Sequence, residues 1–183
     1  MAKVSIIIPN YNYEVYLPQR LDSVIQQTFQ DFEIILLDDC STDGSKQVMQ
    51  SYANNPKVTH VAINDKNSGN PFVQWAKGIA LAQGEYIWIA ESDDLCDATF
   101  LEKMVSILDH HPDVAFTMCG SHLIDENNKP IHDDYDKWKS GTDDKQAYKY
   151  SSYQYLKHFL LWYNASYNAS MIVFRKELVA KTR

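Results

Sequence analysis

The sequence predicts an α/β fold, with a mainly parallel central sheet flanked by helices, and three observations predict it. Short apolar runs alternate with segments of helical periodicity as far as residue 119. The runs are apolar at consecutive positions rather than at every second one, and turn residues close each of them. Strands apolar throughout are buried on both faces, as parallel strands covered by helices are. At 183 residues the chain suits a single domain, large enough to bury about 70% of the surface its unfolded form exposes.

Taken in order, Val4 to Ile8 reads as a buried strand stopped by Pro9. Leu17, Leu21, Val24, Ile25 and Thr28 then recur at helical spacing, with Pro18 tolerated in the first turn. Phe32 to Leu37 is a second strand, ending at Asp38-Asp39, and Ser41 to Ser45 carries turn and cap chemistry ahead of a helix over Lys46 to Tyr52. Lys57 to Ile63 is a third strand. The Asn-, Gly- and Ser-rich loop Asn64 to Pro71 leads to a helix over Phe72 to Ala82, with Gly84 as its C-cap. Glu85 to Ala90 is strand four. After an acidic turn, Phe100, Leu101, Met104, Val105 and Leu108 share one helix face, which His110-His111-Pro112 ends. Val114 to Cys119 makes a fifth strand.

The pattern changes after Ser121. Leu123 to Ile131 reads as a hairpin, and the polar stretch from 132 to 149 as an exposed loop in which Asp133-Asp134 and Asp143-Asp144 are solvated. Tyr153 to Trp162 reads as an aromatic helix, Ala169 to Phe174 as a last strand, and Glu177 to Lys181 as the start of a further helix. Tyr150, Tyr153, Tyr155, Phe159, Trp162, Tyr163 and Tyr167 belong partly to the core, and one or two of them are candidates to line a ligand groove.

Composition excludes several classes. The longest apolar runs are far shorter than the roughly 20 residues that span a bilayer, and no signal-peptide pattern opens the chain. The three cysteines, Cys40, Cys96 and Cys119, lack metal-ligand spacing and read as reduced thiols. A net charge of −7 argues against nonspecific nucleic-acid binding. The expected location is the cytoplasm or the inner face of the membrane.

Chemistry gathers at strand ends. Tyr86-Ile-Trp-Ile-Ala-Glu-Ser-Asp-Asp-Leu95 delivers Glu91, Asp93 and Asp94 to one short turn. Carboxylates this close repel by roughly 1 kcal/mol per pair even in water. Hard oxygen ligands on such a turn suit Mg2+ or Mn2+, which uses one or two protein carboxylates together with substrate phosphates. Two more strands end in Pro9-Asn-Tyr-Asn12 and Asp38-Asp39, and ligands of parallel sheets bind outside such carboxyl ends.

Ile6-Ile-Ile-Pro-Asn-Tyr-Asn12, Leu37-Asp-Asp-Cys-Ser-Thr-Asp-Gly44 and Ala82-Gln-Gly-Glu-Tyr-Ile-Trp-Ile-Ala-Glu-Ser-Asp-Asp94 together resemble the successive signatures of the family-2 glycosyltransferases. The resemblance covers about residues 3 to 120 well and the rest loosely. It implies the nucleotide-diphospho-sugar transferase (A-type glycosyltransferase) fold and inverting transfer from a nucleotide-sugar donor to a saccharide or lipid-linked acceptor hydroxyl. Pro9 and Tyr11 match positions lining the base pocket. Asp39 matches the acceptor of the base's ring N–H, which suits uracil or thymine because a carboxylate only accepts, so UDP- or dTDP-linked donors are favoured. Asp38 is expected to hold its turn with Ser41 and Thr42. Asp93 matches the position near the ribose, and Asp94 the ligand of the metal between the phosphates.

Two departures stand out. Glu91 occupies a position where the family usually has Asp. Gln74-Trp75-Ala76-Lys77 stands before Gly78 where an Arg-Asn pair is usual, with one extra residue after Gly69, which leaves Lys77 as the candidate phosphate partner. The expected organisation is one glycosyltransferase domain over 1–183, with about 1–120 as the donor-binding half and about 121–183 as the start of an acceptor half. The catalytic base is expected beyond Arg183. A noncatalytic nucleotide-sugar-binding or partner-binding module is the alternative. A phosphoacceptor receiver domain fits poorly, because Asn64 follows the third strand.

Overall fold

A computed structural model describes residues 1–131, 147–161, 166 and 168–180. Its strands are β1 (Val4–Asn10), β2 (Phe32–Asp38), β3 (Val58–Ile63), β4 (Tyr86–Ile89), β5 (Phe116–Met118) and β6 (Ile172–Arg175). The helices are α1 (Leu17–Ile25), α2 (Ser45–Tyr52), α3 (Pro71–Leu81), α4 (Phe100–His110), α5 (Ser152–Tyr155) and α6 (Lys176–Ala180).

The strands form one sheet in the order β3-β2-β1-β4-β6-β5. β3, β2, β1 and β4 run parallel, and β6 is antiparallel to both its neighbours. The chain builds outward from β1 to β3 and then returns to place β4 on the other side of β1. That reversal opens a crevice at the carboxyl ends of β1 and β4, where doubly wound sheets bind ligands. It also differs from the 2-1-3-4-5 order of receiver-like folds.

Side chains of each strand alternate between two apolar layers. Ile6, Ile8, Ile34, Leu36 and Trp88 face the layer that also takes Leu17 and Leu21 of α1, Met49 of α2 and Leu101 and Leu108 of α4. Ile7, Ile35, Leu37, Ile87 and Ile89 face the other, covered by Trp75 and Ile79 of α3. Burial on both faces explains why the strands read as continuous apolar runs. Gly78 lets α3 lie close to the sheet, because a Cβ there would come within 2.4 Å of Ile7 Cγ2.

Several boundaries differ from those read in the sequence. β1 does not stop at Pro9 but runs on to Asn10, with Pro9 opposite Leu37. Ile7 O accepts from Ala90 N and Pro9 O from Ser92 Oγ, so the proline nitrogen faces the β4 side beyond the last residue of that strand, where no ladder donor is required. Gly84 is not a C-cap. The cap residue of α3 is Ala82, in extended conformation, and Gly84 lies so close to β1 that a Cβ would meet Ser5 N at 2.6 Å. The last strand begins at Ile172 rather than Ala169, because Ala169–Met171 is a short 3₁₀ turn capped by the Asn168 side chain.

The hairpin is present, with Ile131 N donating to Leu123 O and Asp125 N to Lys129 O. In the aromatic segment, α5 is followed by a π-helical turn, Leu156–Leu160, and Tyr155 packs edge-on against Phe116 at 5.4 Å. Asp133, Asp134, Asp143, Asp144, Trp162, Tyr163 and Tyr167 lie outside the described residues. Among the described residues, Cys40, Cys96 and Cys119 form no disulfide with one another. Among the described residues, no helix is long and apolar enough to cross a membrane.

Candidate functional site

A cavity of about 590 Å³ opens where the carboxyl ends of β1, β2 and β4 meet, and Pro9, Tyr11, Asp39, Gln74 and Glu91 are on its wall. The loops that bring them there are fastened to one another. Asp38 accepts from Ser41 N at 2.8 Å and from Asn10 Nδ2 at 3.0 Å. Asn12, at φ 58, accepts from Thr42 N at 2.8 Å and donates its own N–H to Ser41 Oγ. Asp38 thus holds its turn with Ser41 and Asn10, while Thr42 is held by Asn12 instead. Tyr11, on the cavity wall, stays about half exposed, at 45%.

Asp39 is 5% exposed, and its carboxylate is already supplied with donors. Oδ1 accepts from Asn64 Nδ2 at 2.7 Å, Gln74 Nε2 at 2.7 Å and Ser68 N at 3.0 Å. Oδ2 accepts from Ser68 Oγ at 2.7 Å. Burial pushes the acid upward, but the hydrogen bonds from Ser68, Asn64 and Gln74 outweigh it and hold Asp39 below the usual carboxylate range. Lys77 does not reach the cavity wall; its Nζ donates to Asn64 Oδ1 at 2.6 Å, one contact behind Asp39.

The acidic turn does not gather its three carboxylates on a shared point. Among the described residues, no three His, Cys, Asp or Glu side chains are disposed to share a metal ion. Glu91 Oε1 accepts from Trp75 Nε1 at 2.8 Å. Burial, with Asp93 and Asp94 nearby, pushes Glu91 up to about 7 despite that hydrogen bond. Asp93 turns toward Tyr13, whose phenol it pushes upward by its charge. Asp94 Oδ1 accepts from Asn168 Nδ2 at 2.9 Å, and its Oδ2 lies 4.0 Å from Arg20 Nη2. The mutual repulsion read from the sequence is therefore offset by separate donors and by one buried cation.

That cation was not legible as part of the site. Arg20 is fully buried; its Nε donates to Glu91 O at 2.7 Å and its Nη2 to Ser170 Oγ at 2.7 Å. The guanidinium also lies 5.2 Å from the Trp88 ring. Ser170 Oγ in turn accepts from Glu91 N at 2.9 Å. The turn after β4 is thus clamped between α1 and the segment before β6. The one sequence signal was a charge on the apolar stripe of α1, three residues after Leu17 and four before Val24. Gln74 and Trp75 carried no such signal.

The donor set fits a divalent cation as far as one carboxylate allows. Asp94 is partly exposed, it is a hard oxygen ligand, and its Oδ2 makes no hydrogen bond among the described residues. A second cavity, about 330 Å³ and walled by Phe116, Tyr155, Leu160, Ile172 and Phe174, is apolar and holds no carboxylate.

A 3-2-1-4 parallel sheet with an antiparallel strand beyond it, and an acidic turn beside a cavity at the carboxyl ends of the parallel strands, define an A-type nucleotide-diphospho-sugar transferase fold. The family model described as Glycosyl transferase family 2 matches residues 5–182, and the chain belongs to that family. It is 36% identical over 121 residues to poly(ribitol-phosphate) beta-N-acetylglucosaminyltransferase TarS of Staphylococcus aureus, a match covering 62% of this chain and 20% of TarS. It is 33% identical over 128 residues to the putative teichuronic acid biosynthesis glycosyltransferase TuaG of Bacillus subtilis, covering 70% of this chain and 50% of TuaG. The crystal structure of S. aureus TarS 1–349 superposes with a TM-score of 0.72 at 23% identity over 98% of this chain and 48% of that one. A mannosyltransferase of Pyrobaculum calidifontis in complex with GDP-Man and Mn2+ superposes at 0.69 with 20% identity, over 98% of this chain and 46% of that one. The chain therefore spans at most half the length of these relatives.

Proposed function

We propose that the chain forms the donor side of a metal-dependent inverting glycosyltransferase, taking a UDP- or dTDP-linked sugar and serving cell-surface polysaccharide synthesis. The observation that supports this most directly is the meeting of Pro9, Tyr11, Asp39 and Glu91, from three strand ends, on one cavity beside Asp94. TarS has been crystallised with UDP and with UDP-GlcNAc. A poly(ribitol-phosphate) beta-glucosyltransferase of Bacillus spizizenii is 40% identical over 94 residues, covering 50% of this chain and 15% of that one.

In this reading Pro9 and Tyr11 line the base pocket, and Asp39 accepts the ring N–H of the base. Asp93 lies on the ribose side. Asp94, steadied by Asn168 and Arg20, is the residue that would hold Mg2+ or Mn2+. A bound divalent cation supplies positive charge against the diphosphate that leaves. Lys77 acts through Asn64 on Asp39. The acceptor hydroxyl, from a saccharide or lipid-linked acceptor, attacks the anomeric carbon as the bond to the diphosphate oxygen breaks, and its proton passes to a base.

Thermal unfolding with UDP tests this. At 100 times its dissociation constant the nucleotide adds about 2.7 kcal/mol, and the gain is larger with Mn2+ than with chelator. No stabilisation by any nucleoside diphosphate, with or without metal, removes the reading.

A further inference from the structure

Away from the donor side, an apolar surface stays uncovered beside β5, the edge strand of the sheet. Within 147–161 only Tyr155 and Phe159 are partly covered, and the other residues are exposed. Tyr153 is 70% exposed, Leu156 45%, Leu160 48% and Leu161 63%. Rings hold the segment in place, with Tyr150 on Phe159 at 5.2 Å and Phe159 on Tyr155 at 5.3 Å. Leu161 N donates to Leu156 O at 3.0 Å across the π-helical turn. Such turns recur at functional sites, and contiguous exposed apolar patches mark interaction surfaces.

The cavity of about 330 Å³ lies under this segment, walled by Phe116 of β5, Ile172 and Phe174 of β6, Tyr155 and the exposed Leu160. Polar groups on the wall are turned to protein. The hydroxyls of Tyr155 and Ser166 are hydrogen-bonded to each other, and Tyr155 also faces Met118 Sδ at 3.9 Å. A saccharide would give up water there and find few partners for its hydroxyls, which disfavours it. A hydrocarbon chain has nothing polar to lose and gains from leaving water.

Charge points to the source of that chain. Residues 145–176 contain no Asp or Glu, although the whole chain has 24 among 183, and they carry Lys145, Lys149, Lys157, Arg175 and Lys176. Lys149 pairs with Asp113 at 2.7 Å and Arg175 with Glu85 at 3.4 Å. Both acids are more than half exposed, so these pairs are weak and leave the cations able to meet an anionic surface. Tyrosines and lysines beside exposed leucines make the pattern of a segment that lies in a membrane interface.

We propose that this face is a lipid-binding site. Tyr148, Tyr150 and Tyr153 rest among the headgroups of an anionic bilayer, Leu156 and Leu161 enter its surface, and one acyl chain passes Leu160 into the cavity. The site is separate from the donor cavity and needs no nucleotide.

Flotation of the chain with vesicles tests this, using phosphatidylcholine alone or an equal mixture of phosphatidylcholine and phosphatidylglycerol. The variants are Leu160→Glu at the cavity mouth, Ile172→Phe, which grows into the cavity, and Val15→Glu as a control on an exposed residue of another surface. The parent should bind the mixed vesicles at least about fivefold more tightly than the neutral ones. It should also keep part of its binding at a salt concentration that screens surface charge. Leu160→Glu should weaken binding by at least about tenfold, and Val15→Glu should leave it within about twofold. Ile172→Phe should lose the salt-resistant part; if that variant does not fold, the half-exposed Leu160 position decides. The assignment is overturned by a parent that floats with neither vesicle, by parent-like binding of Leu160→Glu, by equal weakening in Val15→Glu, or by binding that salt removes entirely. A dimer in sedimentation that Leu160→Glu dissociates also overturns it, because a second copy then covers the face. None of these outcomes touches nucleotide binding, so the donor-site reading is tested separately.

Discussion

Trp75 donates its indole N–H to Glu91 Oε1 at 2.8 Å, tying α3 on one face of the sheet to the turn that follows β4. Glu91 also lies on the cavity wall, so this bond joins the packing of α3 to the shape of the site.

One consequence is a pH dependence with a definite sign. Burial raises Glu91 from 4.5 to about 7, so the folded chain keeps a proton that the unfolded chain releases. Stability should therefore be full below about 4.5, fall as pH rises toward about 7, and level off above it. Glu91→Gln keeps an acceptor for Trp75 and removes the charge. At pH 8 it should be more stable than the parent by roughly 1–3 kcal/mol. Urea unfolding at pH 5 and pH 8 checks this, and an equal drop between the two pH values in parent and variant would rule it out.

Arg20 should be among the least replaceable residues. Its removal takes the guanidinium donor from both Glu91 O and Ser170 Oγ, unties α1 from the acidic turn and opens space beside Trp88. Arg20→Ala should cost about 3–5 kcal/mol, and Arg20→Lys should recover only part of this because an ammonium lacks the planar fork. Chemical denaturation of both variants measures it. A cost below about 1 kcal/mol for the alanine variant would mean that the clamp contributes little.

Asp94 is the proposed metal ligand, and Asn168 steadies it through Oδ1. Asp94→Asn should abolish most of the extra stabilisation that Mn2+ gives to bound UDP, since an amide is a poorer ligand for a hard cation. Asn168→Ala should weaken it by a smaller factor, on the order of 10-fold. Thermal shifts with UDP, titrated with Mn2+, separate the two. If Asp94→Asn responds to metal as the parent does, Asp94 is not the ligand.

Gly84 is required by proximity rather than by backbone conformation. Its N–H donates to Ser5 Oγ at 2.8 Å, and a Cβ would lie 2.6 Å from Ser5 N and 2.8 Å from Val4 C. These are main-chain atoms of a central strand and cannot swing aside. Gly84→Ala should lower stability by about 1–3 kcal/mol, read as a drop in melting temperature. Unchanged melting would show that β1 yields there.

The sequence by itself determined the layered sheet. Apolar runs at Val4–Ile8 and Phe32–Leu37, each broken by one polar residue (Ser5, Glu33), and at Tyr86–Ile89 call for burial on both faces, and Pro, Gly and Asp at their ends mark where the chain must turn. For the same local reason the motifs at Pro9, Asp39 and Asp94 were legible, since strand-end residues of parallel units fall on one edge. The tertiary structure alone decided what those residues touch. Arg20 meets Glu91 and Ser170 across 71 and 150 positions of sequence, and Gln74 meets Asp39 across 35. The antiparallel β6, inserted between β4 and β5, brings Asn168 and Ser170 to the acidic turn. Periodicity reports which face of an element is buried. It does not report where a helix docks along a sheet or which distant strand enters beside it, and the partners of buried polar groups depend on both.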